Sequence, residues 1–218
     1  IYVYLFSGPV REEDEAFLGE DFIGNWVEDR NSFLFFSQPS LDPVSALLRK
    51  CPDLELIDEY HFTYEEWQGG GLEPLGIGKF FITPPWERTG APAGKIQILL
   101  DPGVVFGTGL HPTTKDCLSA LSLLSNKEPF EQVLDLGTGS GILALAAVKL
   151  GAKRVAAVDL NPLCVKTARI NSAHNGLEDQ ITVLRGRAED FLDEPADLLI
   201  ANIHYDAMVR MMEKDVFY

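Results

Sequence analysis

The stretch Val133–Pro162, VLDLGTGSGILALAAVKLGAKRVAAVDLNP, gathers residue types that can hold a nucleotide. An apolar run leads into Asp135. Gly137, Gly139 and Gly141 follow, with Thr138 inside the turn, and a helical pattern then begins. Glycines there allow a tight turn and a close approach to the backbone. A second apolar run ends at Asp159, with Leu160 just beyond it. A carboxylate at the tip of the second strand can accept hydrogen bonds from both hydroxyls of a ribose. Dinucleotide-binding turns use G-x-G-x-x-G, which sets a pyrophosphate on the helix N-terminus. The run here is D-x-G-x-G-x-G instead. The competing reading is a glycine turn in an α/β protein that binds nothing.

Three more places carry chemistry-bearing residues. In DPGVVFGTGLHPTTKDCL (residues 101–118), Gly103, Gly107 and Gly109 punctuate a loop around Phe106, with Thr108 within it. Pro112 suits the first turn of a helix there. Such a loop can serve as a lid, as an anion site or as a plain turn. His111 can act as a general base near pH 7, and a His beside a helix start also serves as a cap or packing residue. His204 carries the same two readings, beside Asn202, while His61 and His174 read as surface residues. The loop Gly186-Arg187-Ala188-Glu189-Asp190 follows a third apolar run, and Glu189 there can be a helix cap.

The elements that would position these residues fall into two regions. From Gln132 onward, strands and helices alternate. Strands are predicted at Gln132–Leu136, Arg154–Asp159, Ile181–Arg185 and Ala196–Asn202. Helices are predicted at Ser140–Leu150 and Pro162–Asn175, and another begins at Tyr205. Apolar strands alternating with helices imply a parallel sheet covered on both faces. Both aspartates would then lie at the carboxyl edge, where such sheets bind ligands. The first region reads as strands Ile1–Ser7, Ser32–Ser37 and Leu54–Thr63, with helices Arg11–Leu18 and Asp42–Lys50. That order suggests a ferredoxin-like α+β unit. Gly78–Thr83 is a further strand. PPWERTGAPAGK (Pro84 to Lys95) has no period and reads as a linker. The predicted division is a small domain at 1–83, a linker and entry strand at 84–100, and an α/β domain at 101–218.

Composition excludes some partners. A net charge of −15 argues against a groove for nucleic-acid phosphates and favours a basic partner. Residues 1–100 hold −10 of that charge, which places the expected acidic face in the first region. No apolar run approaches the ~20 residues of a membrane helix. The start lacks the basic flank and cleavage site of a signal peptide, and it lacks an initiator Met, so residues are expected upstream. Cys51, Cys117 and Cys164 form no metal spacing and read as reduced thiols in a cytoplasmic protein.

The D-x-G-x-G-x-G run resembles the first motif of class I S-adenosylmethionine methyltransferases. Phe106-Gly107-Thr108-Gly109-Leu110-His111-Pro112-Thr113-Thr114 is similar to the AFGTGxHPTT signature of the bacterial ribosomal protein L11 methyltransferase family, and Ala201-Asn202-Ile203 to its ANIL segment. The match runs over about residues 76–205. The resemblance implies a doubly wound Rossmann-like class I methyltransferase sheet behind a small α+β domain that grips the substrate. It implies S-adenosyl-L-methionine as cofactor, with Asp135 serving its amino-acid portion and no phosphate to cradle. It places Phe106, Gly107, Thr108, Thr113, Gly137, Thr138, Gly139, Gly141, Asp159, Leu160, Ala188, Glu189 and Asn202 around that cofactor. Asn202 would face the methyl group and the incoming amine. The family often has Asp where Arg187 stands, so Ala188 backbone or the Glu189 carboxylate would meet the adenine. The family's N-I-L-A-G-P-L run is replaced by Asn202-Ile203-His204-Tyr205-Asp206-Ala207-Met208, at the border of the substrate pocket.

The expected activity is N-methylation of a lysine or N-terminal amine on a basic, ribosomal protein. The alternatives are a small-molecule methyltransferase and a noncatalytic binding module. Three of the family's seven strands are missing before Tyr218, so the native chain is expected to continue, or a partner or second copy to cover the sheet edge.

Overall fold

The computed structural model describes residues 1–28, 30–68, 70, 73–127 and 129–213. Phe217 and Tyr218, beyond which the chain is expected to continue, lie outside them. Two compact units are present, Ile1–Gly71 and Leu72–Tyr218.

The first unit runs β1 (Tyr2–Ser7), α1 (Glu12–Glu15), β2 (Phe22–Glu28), β3 (Asn31–Phe36), α2 (Leu41–Lys50), β4 (Glu55–His61) and α3 (Tyr64–Gln68). Its antiparallel sheet has the order β2-β3-β1-β4, which with βαββαβ connectivity is the ferredoxin-like arrangement. Tyr4, Phe6, Leu34 and Phe36 point to one face and bury against Val44 and Leu47 of α2. The predicted helix over Arg11–Leu18 shrinks to one turn, whose four residues are all acidic and repel one another. Strand β2 was not foreseen. Gly24 and Asn25 are poor strand formers, and Asn25 sits buried there because it donates to Val10 O and Glu15.

The second unit contains two sheets. A three-stranded one joins β5 (Leu75–Ile77), β6 (Phe80–Thr83) and β7 (Ile96–Leu99). This corrects the expected boundary near residues 84–95. Phe80, Ile82 and Ile98 belong to the same apolar core as the larger sheet. Residues 84–95 are the crossover that a parallel β6–β7 pair requires. A helix, α4 (Pro112–Leu124), follows. The larger sheet comprises β8 (Gln132–Leu136), β9 (Arg154–Asp159), β10 (Ile181–Arg185) and β11 (Leu198–Ala201) in the order β10-β9-β8-β11, all parallel. Between them run α5 (Ile142–Lys149), α6 (Pro162–His174) and a 3-10 turn at Ala188–Phe191, and α7 (Tyr205–Met212) follows β11. Helix α5 is buried along nearly its whole length, which explains its continuous apolar sequence. The strand order reverses beside β8, so a crevice opens past the carboxyl ends of β8 and β11.

Candidate functional site

Asp135, the fourth residue of β8, is fully buried. Thr138 Oγ1 donates to its Oδ2 at 2.6 Å, while Oδ1 is a buried oxygen with no hydrogen-bond partner. Burial disfavours the carboxylate and raises its pKa to about 7, against the Thr138 hydrogen bond. On the next strand, Asp159 accepts from Gly139 N at 2.9 Å and from Asn161 N at 2.9 Å. Burial raises its pKa too, opposed by these backbone donors.

The glycine turn uses its donors internally. Gly137 N and Thr138 N both donate to Val158 O, Gly139 N to Asp159, Ser140 N to Phe106 O, and Gly141 N to Thr138 O. Positive φ at Gly137, Gly139 and Gly141 requires glycine, and so does the space around them. A Cβ at Gly137 would overlap Ile203, one at Gly139 would sit 2.6 Å from Phe106 O, and one at Gly141 would crowd Ala168 of α6. Neighbouring protein segments thus approach these glycines closely.

The loop around Phe106 forms a wall bonded to the glycine turn. Ser140 Oγ donates to Gly107 O at 2.6 Å, and Gly107 is buried with φ 110°. Phe106 itself remains 48% exposed on top of the wall. His111 is the N-cap of α4, and its side chain accepts from Thr113 N. His204 caps α7 in the same way. Both histidines take the cap role foreseen for a His at a helix start. His111 Nδ1 also lies 2.8 Å from Thr113 Oγ1, and its ring meets Phe106 edge-on at 5.2 Å.

Asn202 stands one residue beyond β11. Register pairs Ala201 with Leu136, which brings Asn202 level with the glycine turn. Its Nδ2 lies 3.2 Å from Oγ1 of Thr114, a buried residue of α4. Other predicted residues have surroundings of their own. The Leu160 side chain is exposed, and Ala188 packs beneath the sheet edge with Phe191 and Met211. Glu189 pairs with Arg210 of α7 at 2.7 Å, which lowers its pKa. Thr113 is exposed and engaged with His111.

Four contributors escaped the sequence reading. Thr114 meets Asn202, and Ser140 ties the turn to the loop. Asn171 donates to Asp101 O and Ser140 O and accepts from Asp101 N. Asn175 bonds both backbone groups of Leu99. The available signal was a pair of Asn four residues apart on one helix face, polar where an apolar stripe was expected. A concavity of about 300 Å³ lined by Ser125, Asn126, Lys127, Phe130 and Gly151 lies at the amino edge of the sheet, away from these groups. Among the described residues, no three His, Cys, Asp or Glu side chains could share a metal ion, and no helix is long and apolar enough to cross a membrane.

The sequence profile of the family described as "Ribosomal protein L11 methyltransferase (PrmA)" matches residues 52–216. The chain is 45% identical over 152 residues to the ribosomal protein L11 methyltransferase of Geobacillus kaustophilus, which covers 67% of this chain and 48% of that protein. It is 38% identical over 146 residues to that of Myxococcus xanthus, covering 67% of this chain and 50% of the relative. The chain therefore spans about half the length of the curated relatives it matches. A crystal structure of a ribosomal protein L11 methylase from Lactobacillus delbrueckii superposes with a TM-score of 0.54 at 34% identity, covering 62% of this chain and 67% of that one. The shared profile, the shared fold and the D-x-G-x-G-x-G turn agree: this chain belongs to the ribosomal protein L11 methyltransferase family.

Proposed function

We propose that the chain carries an S-adenosylmethionine-dependent N-methyltransferase acting on amino groups of a basic protein, with ribosomal protein L11 as the acceptor, in the cytoplasm. One observation carries the cofactor reading. Every N–H from Gly137 to Gly141 is already bonded to protein, so the turn has no donor left for a pyrophosphate. A nucleoside without phosphates fits such a turn. Asp159 offers carboxylate oxygens for ribose hydroxyls. The unpartnered Oδ1 of Asp135 offers an acceptor for an amino group, directly or through water.

S-adenosylmethionine supplies, when bound, an electrophilic methyl group on a sulfonium. The protein must deliver a neutral amine in line with it. A free lysine has a pKa near 10.4, so at pH 7 only about one in a few thousand is neutral. Withdrawing water from the cation beside Phe106 and the α4 start would lower that pKa. With Nδ2 turned to Thr114, Asn202 presents Oδ1 to accept a hydrogen bond from the amine and aim its lone pair. With Nδ1 accepting from Thr113 N at the cap, the neutral His111 ring carries its proton on Nε2 and offers that nitrogen as a hydrogen-bond donor.

The first unit supports a basic acceptor. Residues 1–71 hold 15 Asp and Glu against 4 Lys and Arg. Glu55, Asp58 and Glu59 are exposed on the edge strand β4. The test is titration with S-adenosylhomocysteine and with NAD, then incubation with methyl-labelled S-adenosylmethionine in lysates with and without ribosomes. S-adenosylhomocysteine binding and label in one small basic protein are expected. Label confined to small molecules would move the acceptor to that class. NAD binding without S-adenosylhomocysteine binding would overturn the reading.

A further inference from the structure

We infer that Ser140 and Asn171 form a latch that fixes the Phe106–Gly109 wall against the glycine turn, and that this latch, as a pair of positioning residues, sets the affinity of the site for its nucleoside. Ser140 is fully buried, and three of its polar groups bond to segments outside its own turn. Its N–H goes to Phe106 O at 2.9 Å, its hydroxyl to Gly107 O at 2.6 Å, and its carbonyl to Asn171 Nδ2 at 2.9 Å. Asn171, also fully buried, holds Asp101 through both backbone groups at 2.8 Å each. Asp101 begins the same loop that carries Phe106. Helix α6, the glycine turn and the wall are thereby tied through two side chains.

The amide orientation of Asn171 is unambiguous, because Oδ1 meets an N–H while Nδ2 meets two carbonyls. Buried networks with every member satisfied are the stiff ones. Room at the latch is also closed: a Cβ at Gly107 would lie 2.5 Å from Ser140 Oγ. The latch consumes the N–H that a phosphate would otherwise find at Ser140. It therefore also acts in selectivity against dinucleotides. A site held within a fraction of an ångström binds better because less ordering remains to be done on binding.

The inference rests on reading the site as an S-adenosylmethionine cleft, and the test separates the two. Ser140→Ala removes one hydroxyl, and Asn171→Ala removes the anchor behind it. Val183→Ala, on β10, serves as a control that loosens the core elsewhere. Amide hydrogen exchange of residues 106–110, melting temperature and S-adenosylhomocysteine affinity are measured for all four proteins. Ser140→Ala is expected to weaken S-adenosylhomocysteine binding about tenfold, the loss of one buried hydrogen bond. It should also speed exchange at residues 106–110 without changing exchange in β8 and β9. Asn171→Ala should do the same more strongly. Val183→Ala should lower the melting temperature with affinity unchanged. Unchanged exchange at residues 106–110 in Ser140→Ala, or equal loss of affinity in Val183→Ala, would overturn the latch. If the wild-type chain does not bind S-adenosylhomocysteine, the cofactor reading falls, and the exchange data alone then decide the latch.

Discussion

Asn202 and Asp135 carry opposite demands at the scale of single residues. In the proposed reaction Asn202 has to be aimed, and the buried Thr114 hydroxyl meets its Nδ2. Thr114→Val keeps the shape and removes the hydrogen bond. It should cut the turnover number about tenfold at unchanged cofactor affinity, whereas Thr114→Ser should keep most of it. Asn202→Ala should lose more, and full turnover in that variant would remove the residue from the reaction. Asp135 has to be charged where charge is costly. Its folded pKa of about 7 lies above the ordinary 3.8, so the folded state holds its proton more tightly than the unfolded chain does. The stabilisation this provides is complete below pH 3.8 and is lost as the pH rises through about 7, an effect on the order of 4 kcal/mol at most. Thermal unfolding should show Asp135→Asn gaining on the wild type as pH rises from 4 to 8. S-adenosylhomocysteine affinity in the wild type should rise over the upper part of that window, since an ammonium partner requires the carboxylate.

Among elements, the glycine turn between β8 and α5 was the most legible. A strand, an Asp, three glycines and a helix are consecutive in the chain, so local pattern suffices. Besides the positive φ of the turn, the neighbours supply a second reason for glycine. Gly137 faces Ile203, which arrives from β11. Gly137→Ala should therefore cost well over the 1–2 kcal/mol of left-handed strain alone. Gly176→Ala, with φ 64° and open space around it, should cost only that strain. Urea unfolding midpoints of the two variants make the comparison. Helix ends were readable at α6, where Asn161 accepts from Leu163 N and Pro162 follows. Strand β2 was not readable, because the partners of its Asn25 Nδ2 lie on segments 10 and 15 residues away.

For the whole molecule, the charge belongs mostly to the first unit, and the candidate site lies in the second. Reversing Glu55, Asp58 and Glu59 together to Lys on β4 should raise KM for a basic protein acceptor. It should leave S-adenosylhomocysteine affinity untouched. The wild-type KM should also rise with ionic strength between 50 and about 150 mM salt, as screening shortens to ~8 Å. A KM insensitive to both changes would place acceptor recognition elsewhere. The division of the chain at Gly71 and Leu72 was misjudged from sequence because the Pro- and Gly-rich residues 84–95 look like a linker. They are a crossover between β6 and β7 instead, since Phe80, Ile82 and Ile98 bury in the second unit's core.

The sequence by itself determined the alternation of strands and helices after Gln132, the D-x-G-x-G-x-G turn, Asp159 at its strand tip and Asn202 at another. Each of these is a property of residues within a few positions of one another, where backbone geometry and side-chain period act directly. Only the tertiary structure decided that β11 lies beside β8, that Thr114 meets Asn202 across 88 positions, and that Ser140 and Asn171 close the wall. Those choices rest on the need of buried polar groups to find partners anywhere in the fold. No local period encodes which distant segment will supply them.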